Sequence, residues 1–231
     1  MKILILLCYY NRPKMVQLAL NSVKTQSYQN WELAIVDDSP QNPIVLDDEL
    51  SNDNRVKIYN TNDTDEQKYN QGGSRFAEYW NQAINESDAD IVLMLCDDDA
   101  LYPEYLEKLN QFYVDNPAVV YSYSHVSVFN SLSYPSLDEI EINLNHPLNE
   151  HTEPINPTNV VDASQVSWKR IPVKESGIKF PFPRTTNLDE AIYFQLVQVF
   201  GPCLFNGLIS QYKGIHIDQL GVRRVLELEY E

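Results

Sequence analysis

Cysteine is scarce in this chain of 231 residues, which contains Cys8, Cys96 and Cys203. The number is odd, the spacings are wide and apolar residues lie beside each cysteine, which is not the pattern of a disulfide framework. Free cysteines of this kind usually behave as small buried hydrophobic residues. We therefore expect reduced thiols and no structural disulfides.

Positive charge is also scarce. Seventeen Lys and Arg residues stand against thirty-three Asp and Glu residues, which gives a formal net charge of −16. Such a balance repels the phosphates of nucleic acids and the headgroups of anionic lipids. Nucleic acid is therefore excluded as an expected partner.

Long apolar runs are missing, and no run reaches the length of a membrane-spanning helix. The opening segment Lys2–Leu7 is too short for the apolar region of a signal peptide with its cleavage site. A hydrophobic content of 43% is enough for one substantial core. We expect a cytoplasmic protein without a membrane span, folded as one domain over residues 1–231.

Short apolar runs alternate with amphipathic segments, which is typical of βα units that build a mainly parallel sheet flanked by helices. Strands are predicted near residues 2–8, 32–37, 55–59, 91–96 and 118–124. Helices are predicted near residues 14–26, 74–86, 103–115 and 189–200, and residues 160–169 are predicted to return to the sheet. The predicted fold class is α/β.

The run Ile91–Asp99 passes from apolar residues into three successive carboxylates, Asp97, Asp98 and Asp99. Carboxylates at the carboxyl end of a buried strand lie where open parallel sheets bind ligands. Hard oxygen ligands favour Mg²⁺ or Mn²⁺, which complete their shells with waters and substrate phosphates. The alternative is that these residues cap the next helix, whose first turn suits Pro103.

Two other predicted strand ends carry polar residues, in the segments Cys8–Pro13 and Asp37–Pro40. Because parallel strands place their carboxyl-end loops along one rim, these segments and Asp97–Asp99 should meet there. The sequence thus predicts a single site at this rim.

These segments resemble the family 2 glycosyltransferases, which have the Rossmann-like GT-A fold, and the SpsA-like members in particular. The resemblance spans about residues 1–125 and resumes weakly near residue 188, through the motifs CYYNRP, TQSYQNWELAIVDDS, NDNRVKIY, SRFAEYWNQAI, CDDDALYPEYL and LDEAIYF. It implies a nucleotide-sugar-binding half, residues 1–125, and an irregular acceptor-side half, residues 126–231.

The resemblance assigns nucleotide binding to Cys8, Tyr10, Arg12, Asp38 and Arg75, with Arg12 at the diphosphate and Arg75 near the base. A carboxylate at Asp38 would accept the N3 proton of uracil but would face an acceptor in cytosine, which favours UDP. The alternatives are that Asp38 or its neighbour holds a turn, and that Arg12 is an ordinary surface residue.

In the same resemblance, Asp97 lies near the donor ribose or sugar, and either Asp98 or Asp99 binds a Mn²⁺ or Mg²⁺ ion that bridges the diphosphate. The DxD pattern favours Asp99, whereas the SpsA-like register favours Asp98. His216 compares with a C-terminal histidine that binds metal in several GT-A enzymes, although a lone histidine is more often structural or at the surface.

Inverting sugar transfer needs a carboxylate that takes the proton of the acceptor hydroxyl. Asp189 matches the family's base, and Glu190 is the alternative. The family usually has an acidic residue before this Asp, and this chain has Leu188. Both acidic residues could instead stabilise the helix start.

Acceptor-side features have two interpretations each. Residues 130–159 could form an acceptor-binding lid or a mobile loop. Trp168 and Phe180–Pro183 could stack on a sugar or pack in the core.

No Gln-x-x-Arg-Trp motif occurs, which indicates single rather than processive transfer to a carbohydrate or other hydroxyl acceptor. Two alternative functions remain. One is a nucleotide-sugar-binding module without activity. The other is a nucleotidyltransferase, which would need a basic or glycine-rich loop for a triphosphate, and only Gly72–Gly73 resembles one.

Overall fold

The computed structural model describes residues 1–71, 73–130, 151–158, 160–182 and 188–215. The strands are β1 (Ile3–Tyr9), β2 (Trp31–Asp37), β3 (Val56–Asn60), β4 (Ile91–Cys96), β5 (Asp99–Leu101), β6 (Tyr121–Asn130), β7 (Val166–Lys169) and β8 (Leu204–Ile215). The helices are α1 (Met15–Lys24), α2 (Asp48–Ser51), α3 (Asp65–Asn70), α4 (Phe76–Glu86), α5 (Tyr105–Asp115), α6 (Arg170–Glu175) and α7 (Leu188–Phe200), and Ala163–Gln165 form a 3₁₀ turn.

The eight described strands form one sheet in the spatial order β3-β2-β1-β4-β7-β6-β8-β5. Strands β3, β2, β1 and β4 run parallel, as predicted. Beyond β4 the directions are mixed, because β7 is antiparallel to both β4 and β6, while β8 is parallel to β6 and antiparallel to β5. The α/β fold class is confirmed.

Both faces of the central strands are buried, which explains why those strands are continuous apolar runs. Along β1, Ile3, Ile5 and Leu7 pack with α1 and α5 on one face, whereas Leu4 and Leu6 pack with α4 and α7 on the other. This alternation follows from the two-residue period of a strand. The two layers hold the carboxyl ends of β1, β2 and β4 level.

Trp168 and Phe180 belong to the core, since each is 1% exposed. The Phe180 ring lies 5.0 Å from that of Trp80 and 6.3 Å from that of Trp168, centroid to centroid. The core interpretation therefore holds for these two residues, and neither offers a free face for a sugar.

Residues 130–159, predicted to form an acceptor-binding lid or a mobile loop, lie largely outside the described residues. In their described part, Ile155 forms an isolated β-bridge with Cys203.

All three cysteines are free in the structure. Among the described helices, none has the length and apolar character needed to cross a membrane.

Candidate functional site

Three strand ends meet at one rim of the sheet. Cys8 at the end of β1 is level with Val36 of β2 and Cys96 of β4. The loops that follow are tied together, since the Tyr10 backbone N–H donates to Asp97 Oδ2 at 2.9 Å. The predicted convergence of these segments is therefore present.

Arg12 joins the rim to two carboxylates of the acidic triplet. Its Nη1 donates to Asp97 Oδ1 at 2.8 Å and to Asp98 Oδ2 at 3.0 Å. Burial raises the pKa of Asp97 to about 6, and the Arg12 charge opposes that shift. The Arg12 side chain is 24% exposed and that of Asp98 is 10% exposed, so both lie at the edge of the rim rather than free on the surface.

Asp99 points inward from β5. It is 1% exposed, and its Oδ2 accepts hydrogen bonds from Ser164 Oγ and Gln211 Nε2, both at 3.1 Å. Its Oδ1 is buried without a hydrogen-bond partner among the described residues. Burial raises the pKa of Asp99 well above its usual range.

The acidic triplet does not cap the helix that follows it. Helix α5 begins at Tyr105, and its N-cap residue is Glu104, in a left-handed conformation with no side-chain cap. The bonds of the three carboxylates go to Arg12, Tyr10 and the buried network instead. The helix-capping interpretation of the triplet is therefore wrong.

Cys96, Asp99 and Asp162 form a second acidic group, with their potential ligand atoms within 4.8 Å of one another. A hydrogen bond with Cys8 and burial raise the pKa of the Cys96 thiol, and Lys213 forms an ion pair with Asp162. A protonated thiol and an ammonium group are unsuited to Mn²⁺ or Mg²⁺, which prefer carboxylates and phosphates. As a set of three ligands this group therefore fits neither ion, and only the carboxylates of Asp99 and Asp162 are suitable donors.

Asp98 fits such an ion better. Its carboxylate lies at the rim beside Asp97, where one protein carboxylate, waters and two phosphates could complete the shell of a divalent ion. His216, the other predicted ligand, lies outside the described residues.

A small pocket of about 90 Å³ opens beside the end of β2, lined by Tyr10, Asp38 and Lys68 among others. Asp38 is 3% exposed; its Oδ1 accepts the Thr61 hydroxyl at 2.5 Å, and its Oδ2 lies 3.1 Å from Lys68 Nζ. The pocket therefore combines a carboxylate, an ammonium group and a half-exposed aromatic ring.

The turn after β2 is held by Asp37 instead. Its two carboxylate oxygens accept the backbone N–H groups of Ser39 at 2.9 Å and Ile44 at 2.8 Å. The turn-forming role, which the sequence left open between two aspartates, thus belongs to Asp37, and Asp38 faces the pocket.

Arg75 is placed differently from the other predicted nucleotide residues. Its Nε donates to Glu78, and its guanidinium carbon lies 5.3 Å from the centroid of the Tyr79 ring. It does not line the pocket that contains Asp38. Arg75 is therefore not brought together with Tyr10 and Asp38.

Asp189 lies in the first turn of α7. Burial raises the pKa of its carboxyl group, and the nearby charge of Asp162 adds to the effect. Tyr193 fixes the helix to the rim, because its hydroxyl donates to the carbonyl oxygens of Asp162 at 3.0 Å and Ala163 at 2.9 Å. Asp189 therefore lies near Asp162, which belongs to the group that contains Asp99.

Sequence reasoning did not identify Thr61, Lys68, Asp162 or Lys213. Each contributes through a partner that is 23 to 51 residues away in the chain. No local motif marks these residues, and only the tertiary structure brings them to the site.

Comparison with known proteins gives three kinds of match. A family model described as Glycosyl transferase family 2 matches residues 4–168. Protein CgeD of Bacillus subtilis is 31% identical over 130 residues, which are 55% of this chain and 30% of CgeD. An uncharacterized glycosyltransferase of Haemophilus influenzae is 33% identical over 114 residues, which are 49% of this chain and 35% of that protein. The chain spans about a third of the length of these relatives.

Solved structures match over most of the chain. S. aureus TarS 1-349 has a TM-score of 0.66 at 15% identity, with 93% of this chain and 60% of that chain covered. The same protein in complex with UDP-GlcNAc gives 0.65 at 15% identity, with 93% and 59% covered. Mannosyltransferase PcManGT of Pyrobaculum calidifontis, in complex with GDP-Man and Mn²⁺, gives 0.57 at 13% identity, with 97% and 59% covered. These matches show a GT-A type fold.

Proposed function

The chain belongs to glycosyl transferase family 2, and from that membership we propose that it transfers one sugar from a UDP-sugar to an acceptor hydroxyl, with inversion and with a divalent metal ion. The observation that carries the proposal is the rim where Arg12 joins Asp97 and Asp98 beside the pocket of Asp38. The division into a donor half, residues 1–125, and an acceptor half, residues 126–231, is part of the same proposal.

The donor would lie along this rim. Tyr10 covers the base, Asp38 accepts its N3 proton, and Cys8 lies at the strand end beneath the nucleoside. Asp97 faces the ribose, and Arg12 offers planar guanidinium donors to the diphosphate. UDP is supported by the match to TarS, which has been solved with UDP-GlcNAc and with UDP.

Asp98 would hold the metal ion. Asp99 is the alternative, through its Oδ1, which has no hydrogen-bond partner among the described residues, and His216 is a further predicted ligand. Mn²⁺ or Mg²⁺ bound there would act as a Lewis acid on the diphosphate of the leaving nucleotide. Arg12 supplies a fixed positive charge at the same place, which stabilises developing negative charge without reorganisation.

Asp189 would act on the acceptor side. Its carboxylate takes the proton of the acceptor hydroxyl while that oxygen bonds to the anomeric carbon from the face opposite the nucleotide. The bond from the anomeric carbon to the diphosphate oxygen breaks, and UDP leaves with its electron pair. Burial supports this role, since it raises the pKa of Asp189 toward the range where a general base works best.

Calorimetric titration tests the proposal. UDP, GDP and CDP would each be titrated in the presence of Mn²⁺, Mg²⁺ or EDTA. We expect UDP to bind most tightly, and to lose most of its affinity in EDTA because a divalent ion held by Asp98 would attract the diphosphate. Equal UDP affinity in EDTA would remove the metal from the proposal, and no binding of any nucleotide would overturn the proposal as a whole.

A further inference from the structure

We propose that Lys68 pairs with Asp38 to recognise the nucleotide base and is the residue that selects uracil against cytosine. The inference rests on the proposed function and extends it by naming a specificity residue for the donor.

Lys68 is held firmly beside the pocket. It lies in α3, whose start is fixed by a capping box in which Thr64 Oγ1 accepts the Gln67 N–H and Gln67 Oε1 accepts the Thr64 N–H. The Lys68 side chain is 12% exposed. Its ammonium group is therefore directed into the wall of the pocket rather than into solvent.

The ammonium group of Lys68 lies against both Asp38 and Tyr10. Lys68 Nζ donates to the Asp38 carbonyl oxygen at 2.8 Å and lies 3.1 Å from Asp38 Oδ2. It also lies 4.7 Å from the centroid of the Tyr10 ring, within the range of a cation–π interaction. Because Thr61 holds the other Asp38 oxygen, the anion and the cation are fixed side by side.

This pair matches one pyrimidine and opposes the other. Uracil presents an N–H donor at N3 next to a carbonyl acceptor at C4, so the carboxylate can accept the former while the ammonium group donates to the latter. Cytosine presents an acceptor at N3 and an amino donor at C4, so both contacts are mismatched. Buried polar groups left without partners make such discrimination large.

The position of Arg75 supports the assignment to Lys68. The Arg75 guanidinium is engaged by Glu78 and Tyr79 and does not line the pocket. Lys68 does line it, beside Asp38. The base-side cation in this chain is therefore Lys68.

Lys68→Met tests the inference, with UDP and CDP titrated against the full chain in Mn²⁺. Loss of a charged hydrogen bond is expected to weaken UDP binding by about tenfold to a hundredfold. CDP affinity should stay the same or rise, because the amino group of cytosine would no longer face the ammonium group of Lys68. The ratio of UDP to CDP affinity should therefore fall toward one.

Three further variants complete the test. Lys108→Met removes the same charge from an exposed lysine paired with Glu104, and should leave the ratio unchanged. Arg75→Met should also leave the ratio unchanged. Lys68→Gln keeps a polar group that can both donate and accept, so it should lower the ratio even where Lys68→Met does not fold.

Other results would overturn the inference. If the Lys68 variants fold and the ratio of UDP to CDP affinity is unchanged, Lys68 does not select the base, and an equal loss of both affinities would mean that it only supports the pocket. A ratio that falls in Arg75→Met instead would transfer the role to Arg75. If wild-type protein binds no nucleoside diphosphate, the proposed function fails as well; if it binds UDP and the ratio test fails, this inference fails alone.

Discussion

Asp189→Asn is expected to bind a UDP-sugar as tightly as the wild-type protein and to turn it over more slowly by about 100-fold or more. Asn has the shape of Asp but cannot take the proton of the acceptor hydroxyl. Asp189 is not among the residues proposed to hold the nucleotide, so donor affinity should not change. Turnover would be measured as UDP release, and affinity by calorimetry.

Glu190→Gln is the matched control, because it makes the same change one residue later in the first turn of α7. It should leave turnover near the wild-type value. Wild-type turnover in Asp189→Asn with a large loss in Glu190→Gln would transfer the base to Glu190. A lower unfolding temperature with unchanged turnover in Asp189→Asn would indicate that Asp189 only stabilises the helix start.

Asp98→Asn is expected to remove the dependence of UDP affinity on Mn²⁺ and to lower turnover by about 100-fold or more, since a Lewis acid at the leaving group contributes several kcal/mol. Arg12 would keep its contact with Asp97, so the rim should remain intact. The measurement is UDP affinity with Mn²⁺ and with EDTA, for the variant and for the wild-type protein.

Asp99→Asn separates the two candidate ligands. Asp99 is buried against Ser164 and Gln211, so its replacement should change the unfolding temperature more than the response to Mn²⁺. If the response to Mn²⁺ is instead lost in Asp99→Asn and kept in Asp98→Asn, the ion is held by Asp99.

The first half of the fold was predictable because its strands are buried on both faces. Strands β1, β2 and β4 are nearly continuous apolar runs, and the observed bounds lie within one residue of the predicted ones. Strand β6 was located but begins three residues later than predicted and extends to Asn130. Strand β8 was missed, because its sequence mixes polar residues and glycine and its pairing partners β6 and β5 are distant in the chain.

The residues of the candidate site that lie at the carboxyl ends of the parallel strands were predictable. Cys8, Asp38 and Asp97 lie at the rim because parallel strands end there. Lys68 reaches Asp38 from a helix 30 residues later in the chain, and Lys213 reaches Asp162 from β8, whose place in the sheet no local pattern reveals. Family resemblance gives no local pairing, such as the ion pair between Arg75 and Glu78.

UDP release from a panel of UDP-sugars in Mn²⁺, compared between the wild-type protein and Asp189→Asn, tests the proposed sugar transfer most directly. We expect slow release from at least one UDP-sugar by the wild-type protein, with water as the acceptor, and far less by the variant. Equal release by both proteins would contradict the role of Asp189. No release from any UDP-sugar, even with sugar acceptors added, would contradict the transferase itself and leave a nucleotide-sugar-binding protein.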